Sequence, residues 1–117
     1  KIQYFECRDR RGNMRFKIKN WNKFFDGSGK RTTLRLRKSK IGHHKAYAGS
    51  YYNPIILGEF DIVKVEPIFF QHLSEQDAKD DGFDSLSELL AELKMINGNI
   101  QANEVTYQHW IENAVKR

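Results

Sequence analysis

Lys30, Thr33 and Arg35 stand close together in the chain, directly after the turn Asp26-Gly27-Ser28-Gly29. The stretch from Arg31 to Arg37 alternates as a strand does. Arg31, Thr33, Arg35 and Arg37 share one face, and Thr32, Leu34 and Leu36 share the other. A cation at the strand entrance, a hydroxyl and a guanidinium therefore converge. Two chemistries suit that trio. The first is binding: Arg offers a planar fork of donors and Lys a point charge, which fits a phosphate or a polar base edge. The second is catalysis: a Lys whose pKa is lowered by basic neighbours is a base toward a Thr hydroxyl, with Arg facing an oxyanion. Composition alone favours a plainer reading, an exposed basic strand.

Charge is distributed unevenly around this strand. Residues 1–50 carry fifteen Lys or Arg against three acids, and residues 51–117 carry five against twelve. A basic face suits a polyanion. The alternative is that the two halves neutralise each other on folding. Arg31, Arg37, Lys38 and Lys40 are the candidate phosphate contacts, and Tyr51 and Tyr52 the candidate stacking platforms for unpaired bases, together with Tyr47 and Trp110. For Trp110, core packing is the favoured alternative.

Other chemistry is disfavoured. Cys7 is the sole cysteine, so no internal disulfide or cysteine-based zinc site is expected, and a reducing, cytoplasmic setting fits. His43 and His44 are adjacent and would face opposite ways on a strand, and His72 and His109 lack partners at ligand spacing. No metal or other cofactor is expected. No apolar run approaches the roughly 20 residues of a membrane helix, and Lys1-Ile2-Gln3-Tyr4 has no signal-peptide core.

The elements that must position the trio can be read in outline. At 117 residues, with 13% aromatics, the chain reads as one domain spanning 1–117, with a β-hairpin elaboration at about 1–19 made of Ile2–Cys7 and Met14–Ile18. Asn20 is placed to cap a short helix carrying Trp21, Phe24 and Phe25. Residues 38–48 read as a polar connection and Tyr47–Pro54 as a loop. A β-rich run covers Glu59–Glu66, and Pro67 punctuates it. The period then changes. Ser74-Glu75-Gln76-Asp77 and Ser85-Leu86-Ser87-Glu88 resemble capping boxes, and Leu86, Leu89, Leu90 and Leu93 follow at core spacing. Gly82 ends the first helix and Asn97-Gly98-Asn99 the second; Val105–Ile111 is the last strand. Without βαβ repeats, the fold class is α+β, a small, mixed and mostly antiparallel barrel with short helices at its rim.

Three sequence features together resemble the ASCH domain family of the PUA-like superfamily. Lys30 and Arg35 have that family's spacing after a glycine turn, Asp81-Gly82-Phe83 ends a short helix, and Ser85-x-x-Glu88-Leu89 opens a second. The similarity covers roughly residues 20–111. Two departures stand out: the signature glycine falls on Ser28, between Gly27 and Gly29, and Gly42-His43 replaces a Gly-Asp pair.

The resemblance implies a small β-barrel whose cleft is lined by the Lys30/Thr33/Arg35 strand and the Asp81 region. It also implies RNA as partner, single-stranded or modified, with DNA left open. Some relatives are amidohydrolases on an acetylated cytidine and others are reported as ribonucleases. In the amidohydrolases the residues matching Lys30 and Thr33 are base and nucleophile, assisted by an acid near Asp81, a position where this chain has Asp rather than Glu. The ranking is an RNA-binding module first, a small hydrolase second, and a factor for an acidic protein partner third.

Overall fold

The computed structural model describes residues 13–50 and 52–117. Among the described residues five strands form one mixed sheet in the order β1-β3-β4-β5-β2. They are β1 (Asn13–Arg15), β2 (Thr32–Arg35), β3 (Gly42–Gly49), β4 (Pro54–Phe69) and β5 (Val105–Lys116). β1 pairs with β3 in parallel, and the other three pairings are antiparallel. The sheet curls into a half-barrel, compatible with the small barrel expected, and among the described residues β1 and β2 are its two edges, facing across a seam. Three helices accompany it: α1 (Ile18–Asn22), α2 (Glu75–Asp80) and α3 (Leu86–Asn97).

Several elements differ from their sequence expectation, each for a physical reason. The strand expected over Met14–Ile18 stops at Arg15, because Lys17 caps α1 and Ile18 begins it. The other arm of the expected hairpin lies outside the described residues. Asn20 sits inside α1 rather than capping it, and its amide donates to Glu92 on α3 at 3.1 Å. Residues 42–49 form a full strand where a polar connection was expected. Its buried positions are His44, Ala46, Tyr47 and Ala48, two of them small and one polar, so the apolar signal is weak. β4 runs through Pro67 to Phe69. Its pairing with β3 ends at Ile62, so among the described residues β4 has β5 alone beside it beyond that point, and a proline with no N–H to give is tolerated on such an edge.

The helix starts follow the capping logic. Ser74 and Asp77 form a reciprocal capping box on α2. On α3, Ser85 accepts from the Glu88 N–H, but the Glu88 carboxylate reaches back to the Asp84 N–H instead of closing the box on Ser85.

Two core clusters result. Met14, Phe16, Trp21, Phe60, Ile62 and Ile111 make one, in which the Trp21 ring lies 5.3 Å from Phe16 and 6.0 Å from Phe60. Leu34, Leu73, Ala78, Leu89, Leu93 and Ile100 make the other, which confirms the leucine stripe of α3 as core.

Candidate nucleic-acid interface

The site begins with how β2 is delivered. Lys30 follows Gly29, whose φ of 80° is left-handed, and its side chain turns inward and is buried. The ammonium donates to the Thr32 carbonyl at 2.8 Å, to the Asp81 carbonyl at 3.1 Å, and to Asp81 Oδ1 in an ion pair. Asp81 Oδ2 accepts from the Leu34 N–H at 3.3 Å, so one carboxylate holds both Lys30 and the strand. Burial pushes the Lys30 pKa down and the Asp81 pKa up, against their mutual attraction. Gly82 makes room for this: its φ is 87°, and a Cβ there would stand 3.0 Å from Lys30 Cβ and from Lys23 Cδ.

The next residue repeats the tie on the outside. The Arg31 N–H donates to the Asp80 carbonyl at 2.7 Å, and its guanidinium meets Asp80 Oδ1 at 3.0 Å through both Nε and Nη2. Two consecutive cations just before β2 thus strap its start to Asp80, the last residue of α2, and to its C-cap Asp81. Thr33 is buried, and its Oγ1 accepts from Arg35 Nε at 3.2 Å. Arg35 is half-buried, with its guanidinium 4.8 Å from the Phe16 ring centroid across the seam. The expected two-sided strand is therefore not simple: Thr32, Thr33 and Leu34 are all buried, and the Thr33 face looks into a cavity rather than into solvent.

That cavity has a volume of about 450 Å³ and opens between β1 and β2, with α3 as its far wall. Lys30, Thr33, Arg35 and Asp81 all line it, so the sequence-predicted residues converge. The other described candidates do not line it. Arg37, Lys38 and Lys40 are exposed on the connection from β2 to β3. Among the described residues no ion pair involves these three. Tyr52 is 88% exposed on the turn before β4, and Tyr51 lies outside the described residues. Tyr47 is buried with the Arg15 guanidinium over its ring, and Trp110 is half-buried between Arg31 and Lys64, neither in the cavity.

Sequence reasoning missed Arg15, Asn20, Glu92 and Asn97, which line the same cavity. A signal existed for two of them. Leu89, Glu92, Leu93, Ile96 and Asn97 follow the i, i+3, i+4, i+7, i+8 pattern of an inward face, so two polar residues stood in a core stripe.

Histidine roles also resolve. His109 is fully buried beneath Thr33; its Nδ1 lies 3.2 Å from the Thr33 carbonyl, and its Nε2 accepts from the Ser39 N–H at 3.0 Å. Burial, helped by the Arg35 charge, holds its pKa down to about 4, so it is neutral at pH 7. His43 and His44 do face opposite ways on β3: His44 stacks on Phe60, while His43 lies exposed between Glu59 and Asp61. Among the described residues no cluster of His, Cys, Asp and Glu is arranged to hold a metal ion. Nor is any described helix long and apolar enough to cross a membrane.

The sheet order, the strapped β2 and the paired caps of α2 and α3 can be compared with known structures. The crystal structure of an ASCH domain from Lactobacillus crispatus JV V101 superposes with a TM-score of 0.60 at 14% identity, covering 90% of this chain and 79% of that one. The chain has the ASCH-domain fold. No family model matches the sequence, and no curated protein matches it. At this identity the ASCH likeness speaks for the arrangement of strands and helices.

Proposed function

We propose that this ASCH-fold protein binds single-stranded RNA and receives an unstacked nucleotide in the cavity between β1 and β2. The observation that carries the reading is the convergence of Lys30, Thr33, Arg35 and Asp81 on one open cavity of about 450 Å³. That size lies within the roughly 300–1,000 Å³ of ligand pockets. Single-strand readers splay a base out of the polymer and hold it by its edge and faces. Phe83, Leu89 and Leu93 supply apolar wall, and Arg35 a planar donor surface beside it. Arg37, Lys38 and Lys40 lie outside the cavity on exposed chain, where the phosphates of a bound strand would run. Arg31 contributes less, because Asp80 already neutralises it.

A short fluorescent single-stranded RNA, titrated at low and physiological salt against wild type and Arg35→Ala, tests this, with gel analysis of the same samples. Salt-sensitive binding that Arg35→Ala removes, with intact RNA, supports the reading. Binding no better than to heparin contradicts it and favours an acidic protein partner.

A second reading rests on the Lys30–Asp81 pair. Burial pushes Lys30 toward its neutral amine, and Thr33 lines the same cavity. A neutral Lys30 would take the Thr33 proton as that oxygen attacks an acyl carbonyl, with Arg35 facing the oxyanion. Against it, Lys30 makes hydrogen bonds to Thr32 and Asp81, while Thr33 Oγ1 is engaged by Arg35. RNA cleavage, or release of acid from an acylated nucleoside, that Thr33→Ala abolishes, and that Lys30→Ala abolishes while circular dichroism shows the protein still folded, would establish the hydrolase.

A further inference from the structure

β2 and β3 are consecutive in the chain but not in the sheet, where β5 and β4 stand between them. Residues 36–41 therefore carry the chain from the β2 edge past two strands to β3. Arg37, Lys38 and Lys40 lie on this connection, all exposed. Like charges so close together repel, which by itself favours a loose segment. Among the described residues no backbone-to-backbone hydrogen bond holds residues 36–41. Their backbone is tied at two points instead, and both ties are histidines. The Ser39 N–H donates to His109 Nε2 at 3.0 Å, and His44 Nε2 donates to the Lys40 carbonyl at 2.7 Å.

Both rings are firmly seated. His109 is fully buried, and its Nδ1 donates to the Thr33 carbonyl at 3.2 Å. One ring thus reaches from a strand of the cavity wall to the basic connection, with a nitrogen for each. His44 is buried and lies flat on Phe60, with 5.6 Å between ring centroids and 13° between planes. Its second nitrogen, Nδ1, is buried without a partner, a costly arrangement that a phenylalanine would avoid. What histidine adds at position 44 is the donor to Lys40.

We infer that His109 and His44 are positioning residues for RNA binding: they hold the backbone at Ser39 and Lys40 in place, so that Arg37, Lys38 and Lys40 meet the phosphates as a fixed array. This rests on the RNA reading. A segment ordered before binding gives up little conformational freedom on binding, and affinity rises accordingly. The His109 ring also links Thr33 to Ser39, so a nucleotide in the cavity and the phosphates outside it would be held at a constant spacing.

The test is a double-mutant cycle on the affinity of a short fluorescent single-stranded RNA at low salt. His109→Asn keeps a donor for the Thr33 carbonyl and gives up the acceptor for the Ser39 N–H. His44→Phe keeps a ring on Phe60 and gives up the donor to Lys40. Each is made in the wild type and in a variant carrying Arg37→Ala, Lys38→Ala and Lys40→Ala together, with circular dichroism to confirm folding. If His109→Asn does not fold, His44→Phe carries the test alone. Each histidine substitution is expected to weaken binding about tenfold in the wild type. In the variant without the three cations the loss should shrink to less than about twofold, since nothing is left to position. Equal losses in both backgrounds would overturn the inference, because the histidines would then act on the cavity or on the fold as a whole. No loss from either substitution in the wild type would overturn it too. Both of those results, with binding still dependent on Arg35, leave the RNA reading standing. No binding of RNA by the wild type would remove both.

Discussion

Lys30 and Asp81, 51 positions apart in the chain, meet as a buried ion pair that ties the entrance of β2 to the C-cap of α2. Both side chains are almost wholly shielded from water. Neither charge is tolerable there without the other, and the pair also fixes the Thr32 carbonyl and the Leu34 N–H. Removing one partner of such a pair costs about 3–5 kcal/mol, whereas removing both is far less damaging. Urea unfolding of Lys30→Met, Asp81→Asn and the double variant should therefore be strongly non-additive, with the double variant more stable than the sum of the single losses. Additive losses would mean that the two groups do not depend on each other.

The same contacts show what sequence could and could not reveal. Spacing placed Thr33 and Arg35 on one side of a strand, and the capping residues placed α2 and α3. Those are local features, governed by backbone period and by Ser74 and Ser85. The inward turn of Lys30 was not legible, because it depends on an acid 51 residues away. The acid and base halves do meet, through Lys30–Asp81, Arg31–Asp80 and Lys17–Glu92, so part of the basic excess is neutralised within the fold. β3 was missed because its buried positions, Tyr47 apart, are Ala and His rather than a run of large apolar residues. The polar wall of the cavity was missed because Glu92 and Asn97 were passed over while the leucines around them were counted.

His109 makes stability depend on pH. It is held neutral in the fold, with a pKa near 4, against about 6.5 when unfolded. The unfolded chain therefore takes up its proton first as pH falls. The stabilisation is fully present above about pH 6.5, is lost progressively down to about pH 4, and amounts to about 3 kcal/mol. Denaturant midpoints from pH 7 to pH 4 should fall more steeply for wild type than for His109→Asn. Parallel profiles would show that another group controls the acid limb.

Gly82 should not accept a side chain. Its φ of 87° disfavours any L-residue, and a Cβ would press on Lys30 and Lys23. Gly82→Ala is expected to lose about 1–2 kcal/mol and to weaken RNA binding through the displaced Lys30. A melting temperature equal to that of wild type would contradict this.

Arg35 and Lys40 should separate the two layers of the interface. Arg35 lines the cavity and orders Thr33, whereas Lys40 is exposed beyond it. Arg35→Ala is expected to weaken RNA binding about tenfold or more, as for loss of a charge-assisted contact. Lys40→Ala should cost only a few-fold and should lower the slope of log affinity against log salt by about 1. Equal losses from the two substitutions would place the contact on the outer surface alone.

The central claim is that RNA enters the seam between β1 and β2, and backbone amide NMR with a short single-stranded RNA tests it most directly. The largest shift changes are expected at Gly29–Arg35, at residues 15–20 and at residues 89–97, with residues 37–40 shifting less and more salt-dependently. Changes confined to the opposite surface around His43, Glu59 and Asp61, with the seam amides unmoved, would contradict it.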